Sequence, residues 1–162
     1  MYKYSTIELR NMTIEKLRER GIEVDEMAAM VLELQKKYND KITIDDCIES
    51  VMKVLAKREV DHAVLTGLAI DEMANKKLLP EPIQDLVETD EGLFGVDEIL
   101  VLGITNVFGS IGLTNFGYLD KEKPGLIGEL DGRKGKDEVT TFADDIVAAI
   151  IAAAAAHIAH NF

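Results

Sequence analysis

From Ile99 to Leu119 the chain carries no charged side chain, and this run constrains the fold more than any other feature. An uncharged segment of roughly 20 residues has to be hidden, either in a bilayer or at the centre of a bundle of other helices. Its own contents favour the bundle. Thr105, Asn106, Ser110, Thr114 and Asn115 are polar, and Gly103, Gly109, Gly112 and Gly117 punctuate the run. Each polar group would carry a cost in lipid unless it found a partner. No second convincing span exists, since Ile146–Ala159 is mainly alanine and includes His157. The expectation is a water-soluble protein in which the neutral helix is the buried centre.

The rest of the chain supports an all-α fold: one domain over residues 1–162, a bundle of about six helices around a central apolar helix. A hydrophobic share of 47% against 30% charged residues gives 162 residues enough material for one real core. Three prolines, no tryptophan and many alanines and leucines suit helices. Period and caps then mark them out. Met12–Arg20 is stopped by Gly21, and Asp25–Tyr38 by Asn39-Asp40. Thr43-Ile44-Asp45-Asp46 reads as a capping box that opens a helix through Leu55. Apolar spacing resumes at Val60 and fades at Asn75, and Pro82 suits the first turn of a short helix through Leu86. The neutral helix starts near Asp97. Asp120 to Glu138 reads as an irregular excursion, and Thr141-Phe142-Ala143-Asp144 as a second capping box opening the last helix.

Charge narrows the function. A formal net charge of −12 excludes nucleic acid as a partner, whose phosphates most of this surface would repel. An anionic substrate would need a metal ion or a local basic island to approach. The lone Cys47 cannot form an intrachain disulfide, and the start Met1-Tyr2-Lys3-Tyr4 lacks the apolar core of a signal peptide. Both point to the cytoplasm.

Two acidic pairs, Asp97-Glu98 and Asp144-Asp145, stand at the heads of the two most apolar segments. Clustered carboxylates repel unless a cation neutralises them, which is the setting of a divalent-metal phosphoryl site. Acids in a first helical turn also simply offset the helix dipole, as Asp45-Asp46 does. Adjacent residues on a helix diverge by about 100°, so each pair can converge on one ion only where its helix begins. The intervening loop adds Asp120, Lys123, Asp131 and the basic island Arg133-Lys134-Gly135-Lys136. Pro124 biases Lys123 to an extended backbone, presenting its ammonium away from a helix. A phosphate between metal and lysine would be neutralised from two sides.

Asp97-Glu98, the run Phe116-Gly117-Tyr118-Leu119-Asp120-Lys121-Glu122-Lys123-Pro124, Asp131 and Asp144-Asp145-Ile146-Val147-Ala148 form an ordered set. In that order it resembles the phosphatidylglycerophosphatase A family. The resemblance lies in residues 60–162, with Gly117 where relatives often carry arginine. Residues 1–59 lie outside it and supply soluble-looking helices where relatives have membrane segments. It implies Mg²⁺-dependent hydrolysis, with Mn²⁺ as an alternative ion, of the terminal phosphate of phosphatidylglycerophosphate. It also implies metal ligation by Asp97, Glu98, Asp120, Asp144 and Asp145, with Lys123 on the phosphate. The catalytic set so implied is Asp97, Glu98, Asp120, Lys123 and Asp144.

The implied partner is an anionic phosphomonoester, phospholipids included, with peripheral contact to a membrane. A competing reading is a non-catalytic helical interaction module whose acids are only caps. Either way, the neutral helix exceeds what a monomer of this size hides, and a homo-oligomer is expected. His157 and His160, spaced i, i+3, lie roughly 18 Å along a helix from Asp145 and read as compensating the dipole rather than binding metal. His62 reads as packing or surface, Cys47 and Met27, Met30 and Met52 as core, and the glycines at 67 and in the neutral helix as sites of close backbone packing.

Overall fold

The first three helices start where the sequence supplies acceptors for free N–H groups. The computed structural model describes residues 2–134 and 138–161. Helix α1 (Thr6–Glu19) begins well before the expected Met12, because the Ser5 hydroxyl accepts from Glu8 N while Glu8 accepts from Ser5 N. After Gly21, left-handed as expected at φ +73°, comes α2 (Val24–Lys36). The Thr43–Asp46 box then opens α3 (Ile44–Val54). Next come α4 (Arg58–Asn75) and the short α5 (Ile83–Glu88) behind Pro82.

The neutral segment is not one helix. It divides into α6 (Val96–Thr105), a single 3-10 turn at Asn106–Phe108 and α7 (Gly109–Glu122). The supposed irregular excursion contains α8 (Gly125–Asp131), and α9 (Ala143–Asn161) closes the chain. Among the described residues the fold is all-α, in one domain, with more elements than the six or so expected.

The helix at the centre is α9. Every residue from Ala143 to Ala156 is buried, and α2, α3, α6, α7 and α8 pack around it, with α4 alongside and α1 against α4. The expectation that Ile99–Leu119 would be the buried centre is corrected here: α6 and α7 bury only their inner faces, Val101, Ile104 and Thr105 on one and Gly112, Phe116 and Leu119 on the other. The reason is side-chain size. The alanine run at 152–156 is small all round, so neighbours approach it from every side; its most extensive packing is with α7. At Gly67 of α4 a Cβ would stand 2.6 Å from Ile146 Cδ1 and 3.1 Å from Leu100 Cδ2, so only glycine lets α4 come this near α6 and α9.

A buried helix must still satisfy its first N–H groups. The expected Thr141–Asp144 capping box does not form: the Thr141 hydroxyl donates to Val87 O at 2.6 Å instead. The cap comes from α4. Asp71, fully buried, accepts from Phe142 N at 3.0 and 3.1 Å and from Ala143 N at 2.9 Å. The approach to α9 is pinned along its length. Asn75 exchanges two hydrogen bonds with Val139, Arg20 donates to Val139 O at 2.6 Å, and the Thr140 hydroxyl donates to Leu130 O at 2.9 Å.

Asp71→Ala should lower the unfolding free energy by roughly 2–4 kcal/mol, because two buried N–H groups lose their acceptor. Asp71→Asn keeps one acceptor oxygen and should cost less. Urea denaturation measures both, and a loss below about 0.5 kcal/mol for the alanine variant would mean that this cap is dispensable.

Candidate functional site

The same packing that buries the start of α9 sets its first two acids among the ends of other elements. Asp144 and Asp145 are 1% and 4% exposed. Helix α6 begins here with Asp97, which is buried, and Glu98, which is exposed. Helix α7 ends here with Asp120, and the turn into α8 supplies Lys123. The five acids expected from the sequence thus lie at one end of the bundle, with Lys123 among them.

Lys123 does not adopt the extended backbone that Pro124 suggests. It is the C-cap of α7 in the left-handed region, at φ 43° and ψ 54°. A non-glycine residue there is strained by about 1 kcal/mol, and the ammonium contacts hold it in place. Its Nζ lies 3.1 Å from Asp120 Oδ1, 3.1 Å from Asp144 Oδ2 and 3.9 Å from Asp131 Oδ1.

A second ammonium meets the same oxygen. Lys134 Nζ is 3.2 Å from Asp144 Oδ2, 2.9 Å from Asp131 Oδ1 and 2.6 Å from Asp90 Oδ2. Asp90, also left-handed at φ 50°, is a site residue that the sequence reading missed; it lies in the turn after α5. Lys134 was legible only as part of the basic island. The island does not act as a unit. Arg133 turns away to donate to Arg20 O at 2.8 Å, while Gly135 and Lys136 lie outside the described residues.

Electrostatics set the character of the site. Burial opposes charge on both lysines, yet Asp144 together with Asp120 holds Lys123 protonated, and Asp144 with Asp90 and Asp131 does the same for Lys134. Burial raises the Asp144 carboxyl against the pull of the two ammoniums. Its Oδ1 is buried with no hydrogen-bond partner among the described residues. Asp145 is pushed up to about 10, first by burial and then by the charges of Asp144, Asp97 and Asp120. Glu98 is raised by what burial it has, then by Asp120 and Asp97.

Among the described residues, no three His, Cys, Asp or Glu side chains are gathered closely enough to hold a metal ion. The two lysines join Asp90, Asp120, Asp131 and Asp144 instead, and among the described residues neither pairs with Asp97, Glu98 or Asp145. The chemistry of these acids nevertheless fits a hard divalent cation: oxygen donors only, more carboxylates than ammoniums, an orphaned buried oxygen at Asp144 and a carboxyl at Asp145 destabilised by its negative neighbours.

The model of the family described as phosphatidylglycerophosphatase A matches residues 13–160. The chain belongs to that family. The match reaches ahead of residue 60, taking in the second half of α1 and all of α2 and α3. Among relatives, the uncharacterized protein YpjQ of Bacillus subtilis is 58% identical over 161 residues, covering 99% of this chain and 90% of its own. The uncharacterized protein YutG of the same organism is 52% identical over 146 residues, covering 90% and 87%. The crystal structure of YpjQ superposes with a TM-score of 0.92 at 57% identity, covering 98% of this chain and 97% of that one.

The remaining expectations concern residues elsewhere. Cys47 is fully buried, its thiol pushed up to about 11 by burial and then by Asp46, so it is an inert core residue. Met27 and Met30 are in the core, Met52 is half-buried and His62 is exposed. His157 packs edge-on to Phe108, with its Nδ1 3.1 Å from the Ser50 hydroxyl.

Asp145 yields a pH prediction. The folded protein keeps a proton up to about pH 10 that the unfolded chain releases near the ordinary carboxylate value. The native state therefore binds more protons across that window, and stability falls as pH rises through it. In chelator-treated protein, Asp145→Asn should raise stability by roughly 1–3 kcal/mol at mildly alkaline pH and by less in mild acid. Thermal melts at several pH values test this; a variant less stable than the parent at every pH would contradict it.

Proposed function

We propose that this protein is a metal-dependent hydrolase of phosphomonoesters, with phosphatidylglycerophosphate or a closely similar lipid phosphate as substrate. The observation that carries the reading is the convergence of the Lys123 and Lys134 ammoniums on Asp144 Oδ2 at the head of a buried helix, inside a ring of further acids. Phosphoryl transfer needs cationic groups held beside carboxylates in a poorly hydrated place, where their electrostatic effect is strongest.

Each part has a role in this reading. Lys123 and Lys134, held protonated, bind two phosphate oxygens and stabilise the charge that develops on them. Asp90 and Asp131 orient Lys134, and Asp120 orients Lys123, so both ammoniums are set before substrate arrives. One of the carboxylates serves as general base toward the attacking water in this reading. Magnesium, or manganese in its place, would be held by Asp97, Glu98, Asp120, Asp144 and Asp145, and when bound supplies neutralisation of the phosphoryl group and activation of water. Leu93, 92% exposed, and Val96, also exposed, shortly precede Asp97 in the chain and in this reading offer an apolar rest for a lipid tail.

Asparagine keeps the shape of aspartate and removes the charge a divalent ion requires. Asp144→Asn should therefore lower Mg²⁺-dependent phosphate release from short-chain phosphatidylglycerophosphate by at least about 100-fold while the helical circular dichroism spectrum is kept. Lys123→Ala should lower turnover by about 10- to 100-fold without abolishing Mn²⁺ binding, because its partner is the phosphate. Robust activity in the Asp144→Asn, Asp145→Asn double variant would sink the site. A wild-type protein inactive on a broad panel of phosphomonoesters with Mg²⁺ or Mn²⁺ would favour the interaction module.

A further inference from the structure

Asp144 is asked to hold two kinds of cation. In the reading above it is a ligand of a divalent ion, yet its Oδ2 already carries two ammoniums, Lys123 at 3.1 Å and Lys134 at 3.2 Å. The two lysines differ in what else holds them. Lys134 also lies 2.6 Å from Asp90 and 2.9 Å from Asp131, neither of which belongs to the expected metal set. Lys123 has Asp120 Oδ1 and Asp144 Oδ2 as its close partners, both at 3.1 Å, with Asp131 farther off at 3.9 Å. Both of its close partners are expected ligands.

A cation has a way in. Asp144 is 1% exposed, and its Oδ1 is buried without a hydrogen-bond partner among the described residues. An ionised oxygen left so is costly, and a hard cation would satisfy it. An ion on that oxygen would share Asp144 and Asp120 with the Lys123 ammonium, a charge of its own sign one carboxylate away. At such a separation in a half-dry site, like charges weaken one another's binding by more than about tenfold. Lys134 is repelled less, because Asp90 and Asp131 offset its charge and stay with it. Lys123 is also free to turn: it is only half-buried, and its flexible four-carbon stem lets the ammonium swing on a fixed backbone.

We propose that Lys123 serves Asp120 and Asp144 as a counter-ion that a divalent cation displaces, and that the released ammonium then engages the phosphate. The proposal rests on the metal-dependent phosphomonoesterase reading above. Its consequence is that metal and phosphate bind together rather than independently. Metal alone works against the ammonium, and phosphate alone has to draw the ammonium off two carboxylates while facing their charge. Each removes the obstacle to the other, and by linkage the enhancement is equal in both directions. Lys134, tethered by Asp90 and Asp131, is the contact that stays put. The substrate thereby recruits the metal.

Calorimetric titration of Mg²⁺ into the chelator-treated full chain, with and without saturating inorganic phosphate, tests this with no measurement of activity. The association of Mg²⁺ with phosphate in buffer is subtracted. The wild type should bind Mg²⁺ at least about 10-fold tighter with phosphate than without it. Lys123→Gln should bind Mg²⁺ alone about 10-fold tighter than the wild type, and phosphate should then add less than about 3-fold. Lys134→Gln, which leaves Lys123 in place, should keep an enhancement of at least about 5-fold. Should Lys123→Gln fail to fold, Lys123→Gly removes the ammonium and suits the left-handed backbone at φ 43°. A wild type whose Mg²⁺ affinity is indifferent to phosphate, or a Lys123 variant that binds Mg²⁺ no tighter, would overturn the exchange; the metal site itself would stand if Asp144→Asn lost that binding. An enhancement lost in Lys134→Gln and kept in Lys123→Gln would equally overturn it. No Mg²⁺ binding by the wild type or either variant, with phosphate or without, would remove the site and the exchange together.

Discussion

The amino end of α9 is the point on which the rest of the structure depends. A helix buried from Ala143 to Ala156 cannot give its first N–H groups to water, and Asp71 of α4 accepts them instead. That contact fixes α4 against α9 and sets the depth at which Asp144 and Asp145 sit. It also uses the positive end of the helix dipole, which favours negative charge where burial alone would oppose it. Asp71 itself is raised to about 7 by burial, against the two N–H groups that stabilise its ionised form. Three acids thus share one helix terminus, one serving the fold and two facing the site.

The site is a balance of charges held by strained backbone. Lys123 and Asp90 both occupy the left-handed region, where a side chain is disfavoured, and both hold ion pairs of the cluster. The two lysines bridge Asp144, Asp120, Asp131 and Asp90, while the crowding of Asp145, Asp97 and Asp120 remains without an equal positive charge. A hard cation together with a phosphate would restore that balance, because the cation relieves the carboxylates and the phosphate engages the lysines.

Much of this was legible in the sequence, for local reasons. The Thr43–Asp46 box, the Gly21 stop and the acids at the heads of α6 and α9 act within one turn of their own residues, so periodicity and capping chemistry find them. The order of acidic motifs likewise pointed to residues that the fold brings to one end of the bundle. The choice of central helix was not legible. Two apolar segments compete on equal terms by composition, and the deciding factor is that alanine lets neighbours close in on every side while the glycine-broken segment bends into a hairpin. Asp71, Asp90 and the inward turn of Lys134 were also out of reach, since each acts across a tertiary contact with no spacing to announce it. Thr141 shows the converse: a correct capping signature was overridden because Asp71 arrives from α4.

The central claim is that the acids at the head of α9 form a cation site for a phosphate. Anomalous diffraction from crystals grown with Mn²⁺ and inorganic phosphate tests it most directly. The account predicts a manganese peak within about 2.5 Å of carboxylate oxygens of Asp144 and at least one of Asp97, Asp120 and Asp145, with phosphate against Lys123 or Lys134. A crystal containing manganese with no peak there, or with its peak elsewhere on the molecule, would contradict it.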